Sequence, residues 1–457
     1  MLEAAGLSPS EVAAWKESAP IEGAAFPAAA RAASEFLTHG ERLLRRLPPR
    51  RGRSETEAEA AAHLASALDA ERSRFMRTHT AEVYGTLTGD LARALRDEEL
   101  VYAAAERFPG LVPSREDMAR ERGLALPDKE GIEIAQGLFL SFVLADPRCG
   151  AHLVWSMLRP TEEALERLDD FRSSGVADLG RTYLERRGNA AYVEIRNERH
   201  LNAEDCDTLP TTEVAVDLAL LDPEVEVGVF RGAAVAHPRY AGKRVFGAGL
   251  NLTHLYHGRI DFLFFVTRDL GYVNKLFRGL SAGEHRPGEP EETTEKLWIA
   301  AVETFAIGGA CQILHTVDHV IATRGARLYL PARKEGILPG ASNLRLPRSV
   351  GDRLARQAIL SGLEFEAGTP QGDLLCDEVV DSAEEMDGAI ARRVEALTSS
   401  GLVNAAGNRR ALRVGAEPLD LFRRYMATFC REQAYCHLSP ALVRNLEQQW
   451  NAHERRL

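Results

Sequence analysis

Six consecutive apolar residues, Leu297-Trp-Ile-Ala-Ala-Val302, run without a polar interruption and are soon followed by Phe305-Ala-Ile-Gly-Gly-Ala-Cys-Gln312. A short unbroken apolar run reads as a buried strand, and Ala310–Val317 reads as a helix. Strand, glycine pair and helix in succession place a free backbone N–H beside a ligand. The glycines remove the Cβ that would block close approach. The first N–H groups of a helix have no partner within it, and the helix dipole favours negative charge there. The Gly309 N–H is therefore the candidate donor to an oxyanion, with an ordinary tight turn as the bland alternative.

A second loop of the same character follows another expected strand, Val225–Phe230. The stretch His237-Pro-Arg-Tyr-Ala-Gly-Lys-Arg-Val-Phe-Gly-Ala-Gly-Leu-Asn251 ends in small residues with exposed amides, Phe246–Leu252. Two such loops can aim two N–H donors at one carbonyl oxygen, the minimum an oxyanion hole needs. The cations His237, Arg239, Lys243 and Arg244 beside the first loop suit a phosphorylated ligand; a solvated rim is the alternative.

A chain of 457 residues holds a substantial core and more than one domain. Its net charge of −11 argues against nucleic-acid binding. The residues after Met1 lack a basic n-region, and the most apolar run, Ile132–Ala145, is interrupted by Glu133 and Gln136 and too short to span a bilayer. Neither a secretory signal nor a membrane span is expected. The six cysteines have no CxxC spacing, which reads as reduced thiols in a cytoplasmic protein.

Alanine, leucine, glutamate and arginine at helical spacing predict helices throughout the first 185 or so residues, with no strand. The pattern changes at Gly188. Ala190–Arg196 alternates as a strand does, and Thr211–Leu221 reads as a helix ended by Asp222-Pro223. Asp261–Leu270 reads as a helix and Ser281–Glu292 as a flexible connection. Val320–Ala322 and Arg327–Leu330 read as short strands, and Ser349–Gly362, Glu384–Ser399 and the end from Pro418 as helices. Alternating strands and helices predict an α/β core between helical flanks. The division is a helical domain over 1–187, a catalytic core over 188–400 and a helical segment over 401–457 that covers the site and builds the oligomer.

His315 and His319 are four apart, but without HExxH order they read as structural and no metal site is expected. His254 and His257 read as surface residues. Cys311 lies just inside the helix after Gly309, where a thiolate is favoured, yet a buried core thiol is the commoner case. Neither glycine loop matches the phosphate-binding or dinucleotide-binding patterns. Glu204 and Arg268, taken alone, read as a helix-start acid and a surface cation.

The order strand, Phe246-Gly-Ala-Gly-Leu250, strand, Ile307-Gly-Gly-Ala-Cys-Gln312, then Glu335-Gly-Ile-Leu-Pro-Gly-Ala341 and Asn343-Leu-Arg-Leu-Pro-Arg-Ser-Val-Gly351 resembles the crotonase (enoyl-CoA hydratase/isomerase) superfamily over about 188–400. The resemblance implies a ββα-superhelix core that binds acyl-CoA, a homotrimer or dimer of trimers, and Leu250 and Gly309 as the oxyanion N–H donors. Two departures matter. Hydratases of the family carry a glutamate at the place of Gln312 and another in a Pro-Glu step that here reads Pro331-Ala332. An amide and a methyl cannot relay a proton to water, so hydration is not expected.

One branch fits better: the sequence is similar to the cofactor-independent dioxygenases that act on 3,5-dihydroxyphenylacetyl-CoA in glycopeptide-antibiotic assembly. The matching pieces are Leu201-Asn-Ala-Glu-Asp205, His237–Phe246, Arg268-Asp-Leu-Gly-Tyr272, Gly309–Gln312 and the long helical N-terminal extension. That resemblance implies that Glu204, Arg268 and Gln312 bind the ring hydroxyls. It implies coenzyme A against His237, Arg239, Tyr240, Ala248, Gly249, Leu250 and Asn251, and an O2 pocket walled by Leu252, Ala332 and Ile337. It implies no cofactor, with O2 and the CoA thioester as the substrates. A crotonase-fold thioesterase or isomerase, and a non-catalytic acyl-CoA-binding assembly protein, remain as alternatives.

Overall fold

A computed structural model describes residues 1–21, 23–286, 292–399 and 401–457. Its centre is a seven-stranded sheet: β1 (Val176–Asp178), β2 (Thr182–Arg187), β3 (Ala190–Ile195), β4 (Val227–Gly232), β5 (Leu297–Val302), β6 (His319–Thr323) and β7 (Glu378–Val380), adjacent in that order. The first three pair antiparallel as a meander, and β3 through β7 pair parallel. Every residue of β4 and β5 is buried, which is why the apolar runs are continuous rather than alternating. A smaller sheet of Phe305–Ile307, Arg327–Tyr329 and Phe365–Glu366 stands beside it and launches the Gly308-Gly309 turn.

The sheet begins before Gly188, where only helix was predicted. β1 and β2 fall inside the supposed helical segment, and Gly188 is the turn between β2 and β3. β2 reads Thr-Tyr-Leu-Glu-Arg-Arg, with only Thr182 and Leu184 buried, so its apolar period is too short to stand out. The helix after Gly309 is also shorter than predicted, Gly309–Ile313. The helix predicted over Ser349–Gly362 starts at Ser342, breaks its geometry at Gly351 and closes on Gly362 in the left-handed region. Within the expected connection Ser281–Glu292, residues 287–291 lie outside the described residues; Leu280–Ser281 pairs with Thr293–Thr294 across it.

The two ends of the chain share one helical layer. Helix Leu419–His437 packs along Ile134–Ala145, the most extensive helix–helix contact among the described residues. Glu133 at the start of the second helix is fully buried, accepts from Lys129 and from the Phe262 N–H (2.7 Å), and lies 3.2 Å from His437 Nε2. Residues from Ala33 to Ala452 contribute to a continuous apolar core, whereas Leu2, Trp15, Phe36, Leu64 and their neighbours form a separate small cluster. Among the described residues no helix is long and apolar enough to cross a membrane.

Candidate active site

The two glycine loops meet. The Ile307 N–H donates to Gly247 O at 3.0 Å, the Glu204 N–H to Gly249 O at 2.6 Å, and the Asn251 N–H to Glu204 O at 2.8 Å. Gly249 has φ +79°, and a Cβ there would stand 2.8 Å from Ile307 O and 3.0 Å from the nitrogen of Gly309. Only glycine allows that approach. Among the described residues, the Leu250 and Gly309 N–H groups have no hydrogen-bond acceptor, and Gly309 is the first residue of its helix. A Cβ on Gly309 would lie 2.2 Å from Glu204 Oε2 and 3.2 Å from Arg268 Nη2, so the second loop abuts a buried ion pair directly.

That pair is organised by Arg268, near the end of helix Phe262–Leu270 and 4% exposed. Its Nε donates to both carboxylate oxygens of Glu204 at 3.0 Å. Nη1 donates to Gln312 Oε1 at 2.8 Å and Asp269 Oδ1 at 3.1 Å, and Nη2 to the Gly309 carbonyl at 2.7 Å. One N–H of Nη2 is left over. Tyr272 donates its phenolic O–H to Glu204. Burial alone would lower the Arg268 pKa, but the charge of Glu204 and then those of Tyr272 and Asp269 outweigh it and hold it raised. Burial, opposed by Arg268, pushes Asp269 up and Tyr272 well up.

Glu204, Leu250, Arg268, Gly309, Gln312, Ala332 and Ile337 line one cavity with Phe264, Phe265, Asp269, Glu335, Leu338 and Gly340. Its volume of about 30 Å³ holds roughly two water-sized molecules. Residues 338–340 are held from the C-terminal helix, where Gln433 Oε1 accepts the Leu338 N–H at 2.9 Å and Tyr425 donates to Gly340 O.

Leu252 does not line the cavity; it begins the short helix Leu252–Tyr256. Asn251 is 3% exposed and committed to the fold: its Oδ1 caps that helix by accepting the His254 N–H, and its Nδ2 donates to Asp205 at 3.0 Å. His237, Arg239 and Tyr240 sit together on a turn, with the His237 and Tyr240 rings 5.9 Å apart and Arg239 5.4 Å from the Tyr240 ring centre. Tyr240 packs edge-on against Phe305, which ties this turn to the strand leading into Gly308. Arg244 is engaged by Glu194 and Gly232 O.

The ring nitrogens of His315 are buried with no partner among the described residues, and desolvation lowers its pKa to about 3, so it is neutral at pH 7. His319 lies on β6 near Asp377 and Glu378. His254 approaches Asp205 at 3.4 Å. Among the described residues no group of three or more His, Cys, Asp or Glu is arranged to hold a metal ion. Burial pushes the Cys311 thiol up to about 12, far from a thiolate.

A family model for enoyl-CoA hydratase/isomerase matches residues 291–418. The chain is 32% identical over 215 residues to a short-chain-enoyl-CoA hydratase from Clostridium acetobutylicum, covering 46% of this chain and 73% of that protein. It is 45% identical over 406 residues to (3,5-dihydroxyphenyl)acetyl-CoA 1,2-dioxygenase from Amycolatopsis orientalis, covering 88% of this chain and 92% of that protein.

The chain belongs to the crotonase superfamily. A solved enoyl-CoA hydratase from Bacillus halodurans overlies 59% of this chain and 99% of its own length with a TM-score of 0.48 at 16% identity. As a crotonase-fold protein it carries Gln312 bonded to Arg268 and a methyl at Ala332 on the cavity wall, where hydratases were expected to carry two carboxylates. The match to the dioxygenase spans 88% of this chain, and the match to the hydratase 46%.

The sequence reading gave no role to Tyr272, which bonds Glu204 behind the cavity, or to Asp269 and Glu335, which line it. Tyr272 follows Arg268 at a spacing of four, a visible signal, since both lie within the motif Arg268-Asp-Leu-Gly-Tyr272. Asp269, adjacent to Arg268, reads as an exposed acid until the fold buries it. Glu335 stands in a charged run, Arg-Lys-Glu, with no sequence signal of burial.

Proposed function

We propose that this chain is a (3,5-dihydroxyphenyl)acetyl-CoA 1,2-dioxygenase that works without metal or organic cofactor. The observation that carries the reading is the buried Glu204–Arg268–Gln312 cluster set against two unpaired amides, Leu250 and Gly309. The amides receive the thioester oxygen as it gains charge; one such donor is typically worth ~2.7–4 kcal/mol. An α-carbon between an aryl ring and a thioester gives a carbanion delocalised into both, so the enolate forms with modest help. Glu204 accepts from a ring hydroxyl, and the Gln312 amide and the spare N–H of Arg268 donate to ring oxygens. Arg268 serves mainly to hold the other two.

The electron-rich enolate gives an electron to O2, and the radical pair recombines at the α-carbon as a peroxide. The peroxide oxygen attacks the thioester carbonyl and expels CoA as the thiolate. Loss of the second α-proton breaks the O–O bond and leaves 3,5-dihydroxyphenylglyoxylate. The cavity admits dioxygen as it stands, with Ala332 and Ile337 as its apolar wall. The aryl ring enters when that wall moves. His237, Arg239 and Tyr240, with the backbone of Ala248 and Gly249, hold coenzyme A at the mouth.

We assign residues 1–187 to a helical domain, 188–400 to the catalytic core and 401–457 to a segment that closes the site and joins subunits into a trimer or dimer of trimers. The β1–β2 hairpin belongs to the core sheet although it precedes Gly188. The enzyme works in the cytoplasm on the route to dihydroxyphenylglycine in antibiotic biosynthesis. Oxygen uptake with 3,5-dihydroxyphenylacetyl-CoA in the presence of a metal chelator tests the activity. Stoichiometric release of free CoA and the α-keto acid is expected; thioester cleavage that continues without oxygen overturns it.

A further inference from the structure

The chemistry above needs a base twice, once to form the enolate and once when the O–O bond breaks, and nothing so far supplies it. Glu204 is engaged by Arg268 and Tyr272, Asp269 is bonded to Arg268, and Gln312 is an amide. Glu335 is different. It ends the short helix Ala332–Glu335, lines the same cavity as Leu250, Gly309, Ala332 and Ile337, and is 6% exposed. Among the described residues no hydrogen bond or ion pair reaches its carboxyl group. A buried carboxyl without a partner costs several kcal/mol in the charged form, so a fold that keeps one at a reaction cavity calls for a use.

We infer that Glu335 is the general base that takes the α-proton of the arylacetyl thioester. This rests on the reading of the site given above. In the first step the Cα–H bond breaks, its electron pair enters the enolate held by Leu250 and Gly309, and the proton forms an O–H bond on Glu335. Expulsion of CoA leaves a thiolate that accepts this proton, and Glu335 is again a carboxylate. It then takes the second α-proton as the C–H pair becomes the keto C=O and the O–O bond opens to the carboxylate.

Burial lifts the Glu335 pKa to about 7, where a carboxylate is both present and basic at neutral pH. The ionisable groups around it are Glu204, Arg268 and Asp269 in the cavity and Arg333 and Lys334 on its own turn. The helix Pro440–Trp450 packed behind it carries Arg444 and Glu447, and the packed segment Gln357–Ser361 carries none. Burial is the cause of its shift.

The test is anaerobic exchange of the α-hydrogens of 3,5-dihydroxyphenylacetyl-CoA in D2O, alongside aerobic turnover, in the full chain. Wild type is expected to exchange without oxygen, at a rate that rises through a limb near pH 7. Glu335→Gln is expected to lose roughly 10²–10⁴-fold in both exchange and kcat, with KM within about threefold and the limb gone. Glu335→Asp, which keeps a carboxyl, is expected to recover part of the rate and the limb, a result that a packing role would not give. Exchange by Glu335→Gln at the wild-type rate overturns this assignment alone. A wild type that neither exchanges nor consumes oxygen overturns the reading of the site and this assignment with it.

Discussion

Arg268 ties the buried Glu204 cluster to the second glycine loop through one bond: its Nη2 donates to the carbonyl oxygen of Gly309 at 2.7 Å. The same guanidinium grips Glu204 and Gln312, so the groups proposed to read the ring and the amide proposed to stabilise the enolate are held by one side chain.

Arg268→Ala is expected to abolish most turnover of the dihydroxy substrate, by more than about 100-fold, and to leave Glu204 and Asp269 buried without their cation. Breaking a buried pair this way costs about 3–5 kcal/mol. Urea unfolding and oxygen uptake read the two effects separately, and near-normal turnover removes the assigned role. Arg268→Lys does not rescue, because an ammonium cannot reproduce the planar fork that reaches four partners.

Gly309→Ala places a methyl 2.2 Å from Glu204 Oε2. The carboxylate and the loop must part, which misaligns the amide. A fall in kcat of roughly 10²–10³ is expected, the size of losing one oxyanion donor. Affinity for free CoA, measured by calorimetry, stays close to wild type because the mutated atom faces the ring cluster.

Tyr272→Phe removes the O–H donated to Glu204 and loosens the carboxylate. The expected stability cost is about 1–2 kcal/mol. Turnover of 3,5-dihydroxyphenylacetyl-CoA is expected to fall more than that of unsubstituted phenylacetyl-CoA, so the ratio of the two kcat/KM values shrinks. An unchanged ratio separates Tyr272 from recognition.

These residues differ in how far the sequence reveals them. The unit β5, glycine pair and helix is local, and its strand and turn read directly from the apolar run and Gly308-Gly309. Glu204 and Arg268 are 64 positions apart and meet only in the fold, Glu204 bonded to the first glycine loop and Arg268 near the end of helix Phe262–Leu270. Charged residues look solvated in isolation, and only the resemblance lifted these two. Glu335 is buried on a short helix packed against Pro440–Trp450 and Gln357–Ser361, which no local pattern announces. The β1–β2 hairpin was missed because just two of the six β2 side chains are buried.

Glu335 gives a pH signature in stability as well as rate. Its folded pKa of about 7 lies above the ordinary glutamate value of 4.5, so the unfolded chain gives up this proton first as pH rises. The stabilisation is complete below pH 4.5 and is lost as pH passes through 7. The loss is on the order of 3 kcal/mol for a shift of that size. The Glu335→Gln protein lacks this slope and is expected to be the more stable of the two above pH 7. Paired denaturation curves at pH 4.5 and 8 measure the difference.

Tyr425 and Gln433 hold residues 338–340 against the cavity from 85 and 95 positions further along the chain. One wall of the cavity is therefore lent by helix Leu419–His437, which lies far in sequence from both glycine loops. A variant whose helix Leu419–His437 is undocked is expected to keep the two amides and the arginine clamp. It would leave any carbanion open to water, which would quench it by protonation before oxygen could add.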